Sequence, residues 1–156
     1  MSTETCLQAA ASLLGAWAQE TVEPEPGRAD VVIAPGDLIA AAGALIGARW
    51  GYLTAITGLD LGPEDGRLEV LYHFACGAAV VTFRVRVPRE GAAVPSLVGV
   101  IPSISFYERE LMEMFGVTVE GTPNADKLFL PEDWPDGVYP LRKDFSMEQL
   151  EKQAED

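Results

Sequence analysis

Glu108, Arg109, Glu110 and Glu113 crowd into one short run, and their types and spacing come nearest to catalytic chemistry in this chain. Carboxylates paired around an arginine can pass a proton between them, one acting as general acid and the other as general base. Helical spacing argues against that use. Glu108 and Glu110 point to different sides of a helix, and a capping box between Ser105 and Glu108 would occupy the first of them. Arg109 and Glu113 lie one turn apart and can pair along the helix surface. No catalytic residue is assigned on this reading. A small independent enzyme using Glu108, Glu110 and Glu113 is the alternative, and a free regulatory binding module is another.

Metal and nucleophilic chemistry is poorly provided for. The chain has only Cys6, Cys76 and His73 as sulfur or imidazole ligands, whereas an iron–sulfur cluster or a structural zinc normally takes roughly four such groups. No metal or cofactor site is therefore expected. Cys76 sits in a turn with no second histidine to activate it, and His73 reads as a hydrogen-bonded surface or interface residue. Two unpaired cysteines suit a reducing compartment, although a disulfide between them stays open.

The elements that position these residues can be read from periodicity. Leu7, Ala10, Ala11, Leu14 and Ala18 recur at helical spacing and predict a helix over Cys6 to Gln19. Thr21 to Asp30, with Pro24, Pro26 and Gly27, reads as an exposed connector, and Val31 to Ala34 as a short strand. Asp37 is placed to cap a helix ending near Arg49, and Tyr52 to Leu59 returns as a strand before the turn Gly62-Pro63-Glu64-Asp65-Gly66. Leu68, Val70, Tyr72 and Phe74, then Val81, Phe83, Val85 and Val87, alternate with period two, and the short Ala75–Ala78 connection makes them antiparallel neighbours. The expected fold is α+β, a small, mostly antiparallel sheet with helices on one face.

Beyond Pro88 regular structure should be interrupted, because seven of the eleven prolines fall between Pro88 and Pro140. One helix stands out, with interior Phe106 to Phe115 and Gly116 as its C-terminal stop; Tyr107, Leu111, Met114 and Phe115 are expected on one face and Glu108, Arg109 and Glu113 toward the other. Residues 117–156 then form an extended tail, too apolar to be disordered and too irregular for a core of its own, which is expected to pack on another surface. The expected division is a domain over 1–116 and a tail over 117–156, and periodicity leaves open whether the tail lies on its own domain or on a partner.

Composition narrows the function classes. The chain is 156 residues long, 48% hydrophobic and 22% charged, which suits a single globular domain. A net charge of -13 repels phosphate backbones and anionic lipid, so no nucleic acid binding is expected. Met1 to Glu20 contains no Lys or Arg, unlike the start of a secretory signal. The most apolar stretch, Leu38 to Ala48, is about half the length that crosses a bilayer, so no direct membrane span is expected.

The run Tyr107-Glu108-Arg109-Glu110-Leu111-Met112-Glu113-Met114-Phe115-Gly116, then Gly121-Thr122-Pro123, Leu128-Phe129-Leu130-Pro131-Glu132-Asp133-Trp134 and Pro140-Leu141-Arg142-Lys143-Asp144-Phe145, resembles the 30-kilodalton-subunit family of respiratory NADH:quinone oxidoreductase (complex I), which includes the homologous subunit of energy-converting membrane-bound nickel–iron hydrogenases. The resemblance implies a cofactor-free subunit in the hydrophilic arm. It would be peripheral on the cytoplasmic face of the cell membrane, held against the large subunit (the 49-kilodalton-like or hydrogenase large subunit) and a neighbouring Fe–S subunit. Fe–S clusters, with either quinone, FMN and NADH or a NiFe centre, would belong to those partners. It also implies an interface role for Glu108, Arg109, Glu110, Phe115, Gly116, Pro123, Leu130, Pro131, Asp133, Trp134, Pro140, Leu141, Arg142, Lys143 and Asp144, with Trp134 and Phe145 as apolar anchors.

Departures from the respiratory pattern bear on which complex this is. Thr122 stands where histidine usually follows the glycine, Asp126-Lys127 replaces a basic pair, and Trp134-Pro135-Asp136-Gly137-Val138-Tyr139-Pro140 is longer and lacks histidine. These features look more like the hydrogenase branch.

Overall fold

Alternating apolar side chains build the centre of the fold, where β4 (Arg67–Cys76) and β5 (Ala79–Pro88) pair antiparallel from Arg67↔Pro88 to Cys76↔Ala79. The computed structural model describes residues 1–154; the last two residues of the expected tail, 155 and 156, lie outside the described residues. Leu68, Val70, Tyr72 and Phe74 meet Val81, Phe83, Val85 and Val87 on one sheet face, none more than 2% exposed. Gly77, at φ 59°, supplies the left-handed turn that reverses the chain between the two strands.

β3 (Tyr52–Asp60) adds antiparallel to β4, while β2 (Arg28–Val32) runs parallel to β5 and pairs antiparallel with β1 (Glu20–Val22). The order is β1-β2-β5-β4-β3, a mixed sheet in which only the β2–β5 pairing is parallel. The expected connector over Thr21 to Asp30 is thus corrected: its two ends are strands. All three β1 side chains are exposed, so this edge strand is held by its backbone ladder and carries no alternating apolar signal.

α1 (Thr3–Leu14) is capped by Ser2, whose Oγ accepts from Thr5 N at 3.1 Å, and it stops at Leu14 rather than Gln19. Past Leu14 the amides of Trp17 and Ala18 turn back onto its carbonyl. α2 (Leu38–Gly47) follows a single 3₁₀ turn over Pro35–Asp37, and Asp37 makes no side-chain cap, contrary to expectation. The helical backbone of Asp37, at φ -100° and ψ -4°, already continues that turn into α2.

Beyond the sheet come β6 (Ala93–Pro95), α3 (Ser105–Phe115), β7 (Thr118–Glu120), which pairs parallel with β6, and α4 (Glu148–Ala154). α1, α2 and α3 join one apolar core with the β4–β5 face. α3 reaches β3 because Gly58 has no side chain; a Cβ there would overlap the Phe115 ring. The opposite sheet face is polar. There Glu69 accepts from Arg84 Nε at 2.8 Å and Arg86 Nε at 3.1 Å, and Arg84 Nη1 donates to Asp30 at 3.2 Å.

Candidate interface at helix α3 and the C-terminal segment

Two sequence expectations about α3 are corrected by its geometry. Ser105 is the first residue of the helix rather than its cap, and Glu108 does not reach back to it. The buried stripe is Ile104, Glu108 and Leu111, whereas Tyr107 is exposed and Phe115 half-buried. A carboxylate enters the interior here because donors await it: Glu108 Oε1 accepts from Leu97 N at 2.7 Å and Oε2 from Ser96 Oγ at 2.8 Å. Burial pushes the Glu108 carboxyl above its usual range, and the bonds from Leu97 and Ser96 act against that push. Glu108 thereby ties the turn after β6 to α3.

Arg109 and Glu113 do not pair with each other as ions. They hold the same piece of chain by opposite groups. Arg109 Nε donates to Asp126 O and Nη2 to Lys127 O, each at 2.8 Å. One turn later Glu113 accepts from Phe129 N at 2.8 Å, Leu128 N at 3.0 Å and Leu130 N at 3.4 Å. A carboxylate held by three successive amides is a charge-assisted anchor. The next loop closes on itself: Lys127 Nζ donates to Trp134 O at 2.7 Å, Trp134 Nε1 donates to Val138 O at 2.8 Å, and the Trp134 and Phe145 rings stack 6.4 Å apart.

The C-terminal end of α3 is finished by the same segment. Gly116, at φ 70°, ends the helix in the left-handed conformation and donates to Met112 O. A Cβ at Gly116 would overlap the Tyr139 ring. Arg142 Nε donates to Phe115 O at 2.7 Å, and its guanidinium lies over Tyr139 at 4.7 Å, while Leu141 N donates to Met114 O. A cation at free helical carbonyls also suits the helix dipole.

Further on, Asp60 at the end of β3 accepts from Lys143 N at 2.7 Å, from Gly62 N at 2.8 Å and from Arg89, whose other nitrogen reaches Asp144. Burial pushes the Asp60 carboxyl up. Together the Lys143 and Gly62 amides and the Arg89 guanidinium overcome that push and hold it below its ordinary value.

Of the remaining expected site residues, Glu110 rims a cleft of about 180 Å³ with Ile56, Thr57, Gly58, Leu111, Phe115 and Leu141. Leu130 and Pro140 are half-buried, while Pro123, Pro131 and Asp133 are exposed. Glu108 and Glu113 are each engaged by backbone amides of different segments, so these two carboxylates do not converge on each other. His73 is hydrogen-bonded between Thr57 Oγ1 and Thr82 Oγ1, each 3.0 Å away, and burial lowers its pKa. Among the described residues no group of three or more His, Cys, Asp or Glu is arranged to hold a metal.

Sequence reasoning missed Asp60, Arg89 and Ser96. Asp60 and Arg89 are separated by 29 residues and lie at strand ends, where no periodicity marks them.

Residues 31–151 match the family described as "Respiratory-chain NADH dehydrogenase, 30 Kd subunit". The chain belongs to this family. Among its relatives, an NADH-quinone oxidoreductase subunit of Chloroherpeton thalassium is 35% identical over 105 residues, covering 65% of this chain and 42% of that one. Formate hydrogenlyase subunit 5 of Escherichia coli is 35% identical over 107 residues, covering 67% of this chain and 19% of its own length. The chain spans about half the length of the curated NADH-quinone oxidoreductase relatives first matched. A chain in the structure of the membrane-bound sulfane sulfur reductase, an archaeal respiratory membrane complex, superposes with a TM-score of 0.78 over 96% of this chain and 91% of that one, at 22% identity. That likeness supports the α+β fold. The family motifs quoted from the sequence are, in three dimensions, the contacts that lay residues 126–144 along α3 and the end of β3.

Proposed function

We propose that the chain is a cofactor-free, hydrophilic-arm subunit of a complex I-like membrane-bound oxidoreductase, and that it orders the large catalytic subunit for electron transfer coupled to ion translocation. One observation carries this reading. Of the nine large apolar side chains exposed among the described residues, five (Phe106, Tyr107, Phe129, Leu141 and Met147) lie on α3 or the segment that follows it. The motif residues tie that segment down, and the apolar side chains are left outward, the arrangement of an interface core.

The division into a domain over 1–116 and a tail over 117–156 is proposed in this sense: the inner side of the tail lies on its own domain and the outer side on the large subunit or the neighbouring Fe–S subunit. No helix among the described residues is long and apolar enough to cross a membrane. Attachment to the cytoplasmic face would therefore run through partners, which would also hold the Fe–S clusters and the quinone, flavin or nickel–iron chemistry. Between the two branches, the hydrogenase type is favoured by Thr122, Asp126-Lys127 and the longer Trp134–Pro140 stretch.

Affinity purification of the tagged chain from mildly solubilised membranes of its source, with mass spectrometry and assays of hydrogen and NADH oxidation, tests both levels. Large and Fe–S subunits of a redox complex are expected to co-purify, and the assay that responds identifies the branch. Recovery of the chain alone, without redox partners, would overturn the proposal.

A further inference from the structure

Cys6 and Cys76 are separated by 70 positions in the chain, yet their sulfurs stand 3.2 Å apart as free thiols. Each is placed by contacts that have nothing to do with sulfur. Cys6 lies on the buried face of α1, 2% exposed, and its carbonyl accepts from the indole Nε1 of buried Trp50 at 2.7 Å. Cys76 is the last residue of β4, paired with Ala79 across the Gly77 turn. Gly51 lets the neighbouring backbone approach closely, because a Cβ there would overlap the Ala75 carbonyl and come within 3.2 Å of the Cys76 Cα. Two thiols held in contact by a helix, a strand and a glycine approach have little conformational freedom left to lose when they join.

We propose that Cys6 and Cys76 form a reversible thiol–disulfide couple that, when oxidised by hydrogen peroxide, staples α1 to the end of β4. The exposures set the order of events. Cys76 is half-buried at the turn and Cys6 is enclosed, so the Cys76 thiolate attacks the peroxide oxygen, breaking the O–O bond and releasing water after protonation. The Cys6 sulfur then attacks the sulfenic sulfur of Cys76, the S–S bond forms, and the sulfenic oxygen leaves as a second water. Two thiols lose two electrons and two protons, and one hydrogen peroxide is reduced to two waters. Hydrogen bonding to Cys6 holds the Cys76 thiol above its usual pKa, which lowers its thiolate fraction. Cys76 falls within the segment that matches the family and Cys6 outside it, so the staple joins the shared fold to the N-terminal helix.

The test uses the full chain, reduced, desalted and exposed to graded hydrogen peroxide, with thiols counted by alkylation and intact mass, and with amide exchange of α1 followed by mass spectrometry. Both thiols are expected to vanish together with a loss of about 2 Da and no added oxygen, to return with dithiothreitol, and to yield a proteolytic peptide pair joined at Cys6 and Cys76. Amide exchange in α1 should slow by at least roughly tenfold on oxidation. Cys6→Ser should stop at a Cys76 sulfenic acid that dimedone captures and show no slowing; Cys6→Ala serves if the serine fails to fold. Independent gain of oxygen at each sulfur, thiols that survive peroxide able to oxidise Cys76 in the Cys6→Ser variant, or unchanged α1 exchange in the disulfide form would each overturn the proposal.

Discussion

Glu113 and Arg109 show what a charged residue on a surface helix can do when its partner is backbone rather than another charge. Three successive amides converge on one carboxylate, so Glu113→Ala removes the acceptor for all three at once. The half-buried amides of Leu128 and Leu130 then lose their partner, and a loss of about 1–3 kcal/mol is expected in chemical denaturation, with faster proteolysis within residues 126–134. Gly116→Ala combines a left-handed backbone with a clash against Tyr139, and should cost at least about 1 kcal/mol.

Asp60 gives a pH signature of definite sign. Its carboxyl is held below the unfolded value, so the stability it supplies is fully present above the unfolded value and is lost as pH falls through the folded one. Below about pH 4 the anchor of residues 143 and 144 should loosen in wild type, and exchange of the Lys143 amide should rise. In Asp60→Asn that acid-induced step should shrink. Glu108 has the opposite sign: its raised carboxyl makes its contribution less favourable as pH rises from the unfolded value through the folded one.

At the scale of the element, α3 works as a splint between the sheet and the C-terminal segment. Its inner residues Glu108 and Leu111, with Ile104 just before the helix, join the domain, and its C-terminal turn receives Leu141 and Arg142. Leu111 is 3% exposed, so Leu111→Ala should cost about 2–5 kcal/mol and lower the unfolding midpoint of sheet and tail together. If the two lost structure at separate midpoints, α3 would not be coupling them.

For the whole molecule, the polar face of the sheet is internally satisfied by Glu69, Arg84, Arg86 and Asp30, whereas the α3 side presents unpaired apolar side chains. That asymmetry is the basis for proposing the interface on the α3 side. Phe129→Glu and Leu141→Glu alter side chains that are 65% and 53% exposed, so each should leave the stability of the chain within about 0.5 kcal/mol. Each should nevertheless reduce recovery of redox partners in the purification described above, and undiminished recovery would move the interface elsewhere.

The sequence by itself determined the antiparallel pair β4–β5, the turn between them and the helix ending at Gly116, because local periodicity and backbone preference encode these, and the family motifs were legible through their resemblance. It also placed His73 correctly as a hydrogen-bonded residue, since its alternation put it on the polar face. Tertiary structure alone decided that Glu108 turns inward, that β2 joins β5 in parallel, that residues 126–144 lie on α3, and that Cys6 meets Cys76. The physical reason is common to all four. A carboxylate is buried only where distant amides arrive to receive it, and two segments separated by tens of residues meet only once the whole sheet has closed.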